Sequence, residues 1–267
     1  MSQVTVSERP AEAPDEAPAE RTRRNHAAFL DRAAGAEELV PLADGLNFKE
    51  KVERSLAILD AAWCEFGDRF VVANSLGAGV VWHLAKRVSP DIRGFIVVTR
   101  YTHPETLEFM GRVVARYPEL KVYSNDEPLP DDVWRTDPDR CCERLKVEPA
   151  RRAIEDLGAA CWATGVRATS GRGRAASLEV ELRTDGLVKV NPILVWHERE
   201  VWQYAALNGV EVNPLYAEGY RSLGCAPCTR VVAGRDERAG RWIGTSKCGG
   251  ECGINTKPMK LTDGAGI

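Results

Sequence analysis

Hydrophobic and polar positions along the chain follow two alternating periods, and these periods predict the fold. From Asn47 to Cys64 apolar residues recur every three or four positions, which predicts an amphipathic helix. Further helices are predicted over 80–88, from Pro104 through Tyr117, and after Glu198. Short apolar runs predict four strands, at 69–73, 94–99, 120–124 and 160–164. Strands that alternate with helices of this length indicate βαβ units, so we predict an α/β fold with a doubly wound, mainly parallel sheet.

The two ends of the chain differ from this alternating middle. Residues 1–24 are rich in Ala, Pro, Glu and Arg and lack an apolar stretch, so we expect a flexible tail, with a docking arm as the alternative, and no secretion signal. Residues 25–267 are expected to form a single nucleotide-binding α/β domain with a loop-rich, Cys-rich final segment from about 219 to 267. No apolar run approaches the ~20 residues that span a bilayer, so we expect no membrane contact and a cytoplasmic location.

Charge is distributed unevenly although its sum is small. The chain carries 36 Lys or Arg and 39 Asp or Glu, a net charge of −3, so no global field draws it to nucleic acid or a membrane. Residues 140–174, however, hold eight basic and four acidic side chains, and residues 221–247 hold six and two. In these windows Lys146, Arg238 and Arg241 are candidates to bind an anion such as a nucleotide phosphate. Arg151 and Arg152 are expected on a solvated face.

The loop after the first predicted strand is a candidate phosphate site. Residues 74–79 read Asn-Ser-Leu-Gly-Ala-Gly and precede a predicted helix, so Ser75 and Gly77 would present free N–H groups to an anion. A glycine-containing turn is also needed for packing in most α/β folds, and the pattern alone does not separate the two interpretations. It is not a Walker loop, because no Gly-Lys-Ser/Thr follows.

Eight cysteines are the unusual part of the composition. In a reducing compartment such residues are more often metal ligands or reactive thiols than disulfides. Cys141 and Cys142 are adjacent, and Cys225 and Cys228 form a C-x-x-C, so four thiolates could hold a structural zinc or an iron–sulfur cluster. Adjacent cysteines ligate one small ion only under strain, which favours a larger iron–sulfur cluster over zinc. Unrelated buried cysteines are the remaining alternative.

The other four cysteines differ in their surroundings. Cys64 and Cys161 lie beside tryptophans in apolar stretches and are expected in the core. Cys248 and Cys252 have glycines nearby, which provide the mobility and access that suit a nucleophilic thiol. A C-terminal zinc knuckle is an alternative for this pair, although no second pair of ligands is close in sequence.

Seven short segments between roughly Phe48 and Asn255 share a pattern with one known family. They are Cys141-Cys142, Ala163-Thr164-Gly165-Val166-Arg167, Val190-Asn191-Pro192, Val212-Asn213-Pro214-Leu215, Gly219 through Arg230, Glu237 through Trp242, and Glu251-Cys252-Gly253-Ile254. In this combination they resemble the assimilatory adenylyl-sulfate and phosphoadenylyl-sulfate reductases. The four-cysteine pattern resembles the members that carry a [4Fe–4S] cluster and prefer adenylyl sulfate. The implied fold is a doubly wound α/β domain of the adenine nucleotide α-hydrolase-like type.

The resemblance also implies an activity and a role for particular residues. It implies that Cys252 is the catalytic nucleophile and that the cluster ligands are Cys141, Cys142, Cys225 and Cys228. The implied substrate-binding residues are Ser75, Gly77, Lys146, Gly165, Arg167, Arg238 and Arg241. In that mechanism the Cys252 thiolate attacks sulfur, AMP leaves, and thioredoxin then releases sulfite from the S-sulfocysteine. The implied partners are adenylyl sulfate or a related adenine nucleotide and thioredoxin, with a homo-oligomer left open and no nucleic acid.

Four departures from the family pattern fall on the expected nucleotide end of the site. The loop from Leu76 to Val80 lacks an acidic pair, Asp-Thr-Gly appears as Val98-Thr99-Arg100, the Arg-Arg pair reads Arg167-Ala168, and the final His of Cys-Gly-Leu/Ile-His is Asn255. Four changes around one pocket keep two alternatives open. One is a paralogue that acts on an adenylyl-sulfate-like nucleotide without reduction, for example by hydrolysis to AMP and sulfate. The other is an iron–sulfur nucleotide-binding sensor.

Overall fold

The computed structural model describes residues 45–234, 236–247 and 250–260. The tail expected over residues 1–24 and Cys248 therefore lie outside the described residues. The division into a tail and a single domain stays a prediction. None of the helices in the described part is both long enough and apolar enough to cross a lipid bilayer.

Helices and strands alternate along the described chain. The helices are α1 (Phe48–Phe66), α2 (Val80–Val88), α3 (Pro104–Arg116), α4 (Val133–Thr136), α5 (Pro138–Cys142), α6 (Glu148–Asp156) and α7 (Glu198–Asn208). The strands are β1 (Phe70–Ala73), β2 (Arg93–Val97), β3 (Leu120–Tyr123), β4 (Cys161–Ala163), β5 (Val180–Leu182) and β6 (Val188–Val190). A π-helical turn, Glu143–Val147, continues α5 into α6, and one of several 3₁₀ turns covers Ala226–Cys228. The predicted elements agree with these bounds to within two residues, whereas α4 to α6, β5 and β6 were not predicted.

The described strands form one six-stranded sheet in the order β3-β2-β1-β4-β6-β5. β1 pairs in parallel with β2 and β4, so that Val72 lies between Gly94 and Ala163. β2 pairs with β3 and β4 with β6 in parallel, and only the edge strand β5 is antiparallel to its neighbour. The predicted doubly wound, mainly parallel sheet is thereby confirmed. The strand order reverses between β1 and β4, the point at which such sheets bind ligands.

Helices cover both faces of the sheet because successive strand residues point to opposite sides. Phe70 and Val72 join a core with α1, α2, α3 and α7, whereas Val71 joins a second core with α6. Cys161 is fully buried, as predicted for a core cysteine. The same prediction is wrong for Cys64, which is only partly buried at the end of α1, its Sγ 4.0 Å from Asp60 Oδ1.

Candidate active site

The loop that follows β1, residues 74–79, is fixed by side-chain amides. Leu76 has a positive φ of 56° although it is not glycine, and it is buried. Asn74 Oδ1 accepts a hydrogen bond from the Leu76 N–H at 2.9 Å, a local turn that stabilises this conformation. From the other side the fully buried Asn213 donates from Nδ2 to the Leu76 carbonyl at 3.0 Å, and its own N–H donates to the Gly77 carbonyl at 3.2 Å. The loop is therefore held in one shape, with Ser75 and Gly77 lining a cleft.

The loop that follows β4 forms the neighbouring part of the same cleft. Gly165 and Arg167 lie here, beside β1 across the reversal of strand order. Arg167 makes a two-pronged ion pair with Glu237, its Nη1 donating to Oε1 at 3.0 Å. Both side chains are almost buried, so this pair ties the β4 loop to the loop-rich C-terminal segment.

The first cysteine pair ends the short helix α5. Pro138 opens that helix, the Asp137 side chain accepts from the Arg140 N–H at 3.0 Å, and the Cys141 N–H donates to the Asp137 carbonyl at 3.0 Å. The second pair brackets the 3₁₀ turn Ala226–Cys228, in which the Cys228 N–H donates to the Cys225 carbonyl at 3.0 Å.

All four of these cysteines are buried and line one small pocket. The pocket is lined by Thr99, Tyr101, Trp134, Pro138, Cys141, Cys142, Leu145, Lys146, Cys225, Cys228, Arg241 and Trp242. We call it the thiol pocket. Burial and the neighbouring thiols raise the pKa of Cys141 to about 12 and that of Cys228 to about 11. Without a compensating cation these thiols are protonated at neutral pH.

A single metal ion has no evident ligand set in this part of the protein. Over residues 45–234, 236–247 and 250–260, no three His, Cys, Asp or Glu side chains form a group that could hold a metal ion.

Thr99 Oγ1 lies 3.3 Å from Cys225 Sγ, and the Ala226 N–H donates to the Tyr101 carbonyl at 2.8 Å. These contacts attach the C-x-x-C loop to the segment that follows β2.

Lys146 lies in the π-helical turn, between the thiol pocket and the cleft. Burial opposes its charge, but the electrostatic effect of the neighbouring Cys225 and Cys252 side chains outweighs burial, so the pKa of Lys146 is raised. No carboxylate within the described residues forms an ion pair with it. Its ammonium group is therefore available to an anionic ligand.

Arg241 is buried and held rigidly beside the C-x-x-C loop. Its Nη1 donates to the Leu223 carbonyl at 2.6 Å, and its guanidinium carbon lies 4.4 Å from the centre of the Trp242 ring. Its Nε has no hydrogen-bond partner within the described structure. A Cβ at Gly224 would lie 2.2 Å from Arg241 Nη2, so only glycine allows this approach.

Arg238 and Cys252 meet at the other side of the cleft. Arg238 pairs with Glu251 at 3.2 Å and donates to the Gly250 carbonyl at 3.3 Å. Burial and the nearby Arg174 lower the pKa of Arg238 to about 10, so it remains protonated at neutral pH. Cys252 is partly buried and packs against the cysteines of the C-x-x-C and Trp242.

One cleft of about 290 Å³ collects all these groups. Its lining includes every residue predicted to react with or bind the substrate: Ser75, Gly77, Lys146, Gly165, Arg167, Arg238, Arg241 and Cys252. The volume is near the lower end of the ~300–1,000 Å³ that small-molecule sites occupy. Five residues line both the cleft and the thiol pocket, namely Thr99, Lys146, Cys225, Arg241 and Trp242. We call these five the shared wall.

Two expectations about the site require correction. The predicted departures do not all surround one pocket: Leu76 and Asn255 line the cleft, but Val98, Arg100 and Ala168 do not. Arg100 instead donates to the Leu129 carbonyl at 3.0 Å. Arg151 was expected on a solvated face, yet it is partly buried, because it pairs with Glu143 at 2.5 Å.

Sequence reasoning missed several side chains that shape the cleft. Asn213 belongs to one of the matched segments, but spacing alone gave no hint that it holds the loop after β1. Glu237 lies within the basic window 221–247, and an acidic residue there is the signal that could have revealed it. Glu251 lies beside Cys252, outside that window. Tyr216 also lines the cleft, and burial raises its pKa to about 12.

Fold and site together define a nucleotide-binding α/β protein in which one cleft is lined by a thiol and by basic side chains. The family described as "Phosphoadenosine phosphosulfate reductase domain" matches residues 69–231, and the chain belongs to this family of reductases. It is 38% identical over 231 residues to "Adenosine 5'-phosphosulfate reductase" of Streptomyces coelicolor, covering 82% of this chain and 95% of the relative. The protein of the same name from Mycolicibacterium smegmatis is 37% identical over 228 residues, covering 78% and 95%.

Solved structures share the fold at lower identity. The phosphoadenylyl-sulfate reductase of Candida auris, in a phosphate complex, superposes with a TM-score of 0.57 at 22% identity, covering 74% of this chain and 96% of that one. An FMN adenylyltransferase of Candida glabrata gives a TM-score of 0.55 at 14% identity, covering 80% and 74%. The fold is thus shared with proteins of different activity.

Proposed function

We propose that this protein reduces adenylyl sulfate to sulfite and AMP. The observation that carries the proposal is a single cleft in which the Cys252 thiol lies with Lys146, Arg238 and Arg241. The same cleft contains the glycine loop at the reversal of strand order, where α/β sheets bind nucleotides. The relatives from S. coelicolor and M. smegmatis bear the name of this activity, and those names do not favour a non-reductive paralogue.

In the proposed reaction the Cys252 thiolate attacks the sulfur of the sulfate group. The bond between that sulfur and the phosphate oxygen breaks, AMP leaves with the bonding electron pair, and an S-sulfocysteine remains. A thiolate of an external dithiol then attacks Cys252 Sγ, and sulfite leaves with the electron pair of the S–S bond. The second thiol of the reductant displaces Cys252 from the mixed disulfide, so two electrons have passed from the dithiol to sulfur.

Reduced thioredoxin is the dithiol that we propose for this step. It is a protein dithiol of low reduction potential, which a reducing cytoplasm maintains. A cytoplasmic location is therefore part of the proposal.

Cationic side chains would stabilise the charge that develops on the phosphate oxygens as AMP leaves. Arg241 is fixed in advance by the Leu223 carbonyl and the Trp242 ring, so it need not reorganise during the reaction. Lys146 has no carboxylate partner among the described residues and can approach the phosphosulfate directly. We propose that Ser75, Gly77, Gly165 and Arg167 bind the nucleotide.

We further propose that Cys141, Cys142, Cys225 and Cys228 hold a [4Fe–4S] cluster. Their chemistry fits this group, because four thiols are buried in one pocket and the pKa values of Cys141 and Cys228 are raised, so a bound polycation would stabilise the thiolates that ligation requires. Cys141 and Cys142 are adjacent and would ligate a single small ion only under strain, which supports a cluster over zinc. When bound, it would compensate the thiolate charge and join the two cysteine-bearing segments.

The test is a product assay on the reconstituted, full-length protein. Adenylyl sulfate is supplied with and without reduced thioredoxin, and sulfite, sulfate and AMP are measured. We expect sulfite only with thioredoxin, a sulfonated Cys252 by mass spectrometry without it, and a loss of at least about a thousandfold in Cys252→Ser. Cys64→Ser is the matched control and should keep full activity. AMP and sulfate formed without any reductant would overturn the proposal in favour of hydrolysis.

A further inference from the structure

The turn that joins β5 to β6, residues 183–187, is compact and rigid. The Gly186 N–H donates to the Arg183 carbonyl at 2.9 Å, and the Arg183 N–H donates to the Leu187 carbonyl at 2.9 Å. Gly186 has a φ of +75°, which glycine adopts without strain. The Asp185 side chain closes the turn by accepting from the Leu187 N–H at 3.2 Å. Both charged side chains of this turn are directed at the segment that carries Cys252.

Arg183 donates hydrogen bonds to two backbone carbonyls of that segment. Its Nη1 donates to the Asn255 carbonyl at 3.1 Å, and its Nη2 donates to the Lys257 carbonyl at 2.6 Å. Only 11% of the side chain is exposed. A planar guanidinium bonded to two carbonyls fixes the orientation of the segment as well as its position.

Asp185 holds the same segment slightly further along the chain. Its Oδ2 accepts from the Met259 N–H at 2.6 Å and lies 3.6 Å from Arg183 Nε. The Asp185 side chain is 1% exposed, and the Met259 side chain is buried in the second core beside α6. Arg183 and Asp185, which we call the clasp, thus hold the segment by charged hydrogen bonds, and the buried Met259 side chain holds it by apolar packing.

Residues 250–260 provide little of their own support. No helix or strand covers them, and their internal backbone bonds are few, chiefly from Thr256 and Lys257 to the Gly253 carbonyl at 3.1 and 2.8 Å. Arg151 adds an outer contact, its Nε donating to the Pro258 carbonyl at 2.9 Å. The position of Cys252 therefore depends on contacts made by other elements.

We propose that Arg183 and Asp185 are positioning residues that hold Cys252 in the cleft. They bind only backbone groups of residues 255–260, so the clasp does not depend on which side chain stands at position 255. The inference rests on the proposed function in one respect, namely that Cys252 is the residue that reacts. It goes beyond that function by identifying one part of the sheet that contributes to the position of the thiol, in addition to the ion pairs of Glu251 with Arg174 and Arg238.

The test compares Arg183→Met, which keeps the stem and removes every donor, with Arg199→Met on the exposed face of α7. Hydrogen exchange of residues 250–260 and the alkylation rate of Cys252 by iodoacetamide are measured by mass spectrometry on the full-length protein. We expect the exchange rate and the alkylation rate each to rise about tenfold in Arg183→Met, because the segment loses the stabilisation typical of a charge-assisted hydrogen bond. We also expect kcat to fall about tenfold while KM for adenylyl sulfate changes less than about twofold, because the residues proposed to bind the nucleotide are unchanged. Arg183→Lys, which keeps the charge and at least one donor, should lie between the two.

The proposed role of the clasp is overturned if Arg183→Met and Arg199→Met have the same hydrogen exchange over residues 250–260 and the same kcat. Exchange in β1 and β4, read from the same spectra, separates local release from global unfolding, and Arg183→Lys carries the test if the Met variant unfolds. Should no variant and no wild-type sample form sulfite, the proposed function fails alone, and the exchange and alkylation data still decide the clasp.

Discussion

The two sides of the cleft are built in different ways. The nucleotide wall, residues 74–79 and 164–167, follows parallel strands and is fixed by the buried amide of Asn213 and by core packing. The sulfur wall, residues 221–260, has within its described ranges no regular element longer than three residues. It is held by guanidinium groups, through Arg241 on the Leu223 carbonyl and Arg183 on two carbonyls of the Cys252 segment.

This difference indicates which wall can move. Apolar packing around a sheet opens only with most of the stability of the fold, whereas a segment held by a few charged hydrogen bonds opens at lower cost. In the proposed reaction the Cys252 thiol meets first a nucleotide and then a protein reductant, so it is better placed on the second kind of wall. Substitutions in each wall should therefore have different signatures.

Apart from replacing the reacting thiol itself, the largest effect is expected from removing a proposed cluster ligand. Cys228→Ser should lose bound iron and the brown colour and lower sulfite formation more than about a hundredfold, because the two cysteine-bearing segments lose their common anchor. Iron and sulfide analysis with visible absorbance measures the first, and the product assay the second. A colourless wild-type protein loaded with zinc would contradict the cluster assignment.

A smaller but sharper effect is expected from a single methyl group on the sulfur wall. In Gly224→Ala the new Cβ would meet Arg241 Nη2 at 2.2 Å, so the guanidinium must leave its place. We expect kcat/KM to fall about tenfold or more, since a displaced cation stabilises the leaving group less.

Gly111→Ala is the matched control, because Gly111 lies within α3 with no atom near its would-be Cβ. It should leave kcat/KM unchanged and raise the free energy of unfolding by about 0.5–1 kcal/mol. Equal kinetic effects of the two substitutions would show that the place of the Arg241 guanidinium does not affect the reaction.

The smallest kinetic effect is expected on the nucleotide wall. Asn213→Ala removes the buried Nδ2 bond to the Leu76 carbonyl and the partly buried one to Thr106 Oγ1. We expect a loss of about 1–3 kcal/mol in the free energy of unfolding. KM should rise about threefold with little change in kcat, since the loop loosens while the thiol stays in place.

Denaturant unfolding and steady-state kinetics measure both quantities. Asn208→Ala, at the exposed end of α7, is the control, because it removes one bond to the Tyr204 carbonyl. It should change the free energy of unfolding and KM much less than Asn213→Ala does. A fall in kcat with unchanged stability would show that the nucleotide wall also sets the position of the thiol.

The same contrast explains how far the sequence predicts the structure. The nucleotide wall follows clean apolar runs, and β1 and α2 were predicted to within one residue. β5 and β6 escaped prediction because they have three residues each and β6 carries Lys189 at its centre. That lysine is buried only because its Nζ bonds Glu181 of β5 at 3.2 Å, a pairing that exists after the sheet has formed.

The site was predictable as a set of residue types but not as an arrangement. A C-x-x-C, an adjacent cysteine pair and basic windows indicate chemistry from spacing alone. The clasp could not be predicted, because Arg183 and Asp185 lie about 70 residues before the carbonyls and amides that they bind. Backbone acceptors have no sequence signature, so such contacts become visible only in three dimensions.

The shared wall has a consequence for how substitutions combine. Trp134 lines only the thiol pocket and Ser75 only the cleft, so the free-energy effects of changing both should be additive. Lys146 and Arg241 face both spaces, and pairing either with a change in the other space should give effects that do not add. If the cleft binds the nucleotide as proposed, sequence drift in the thiol pocket is thus constrained by that ligand through the shared wall.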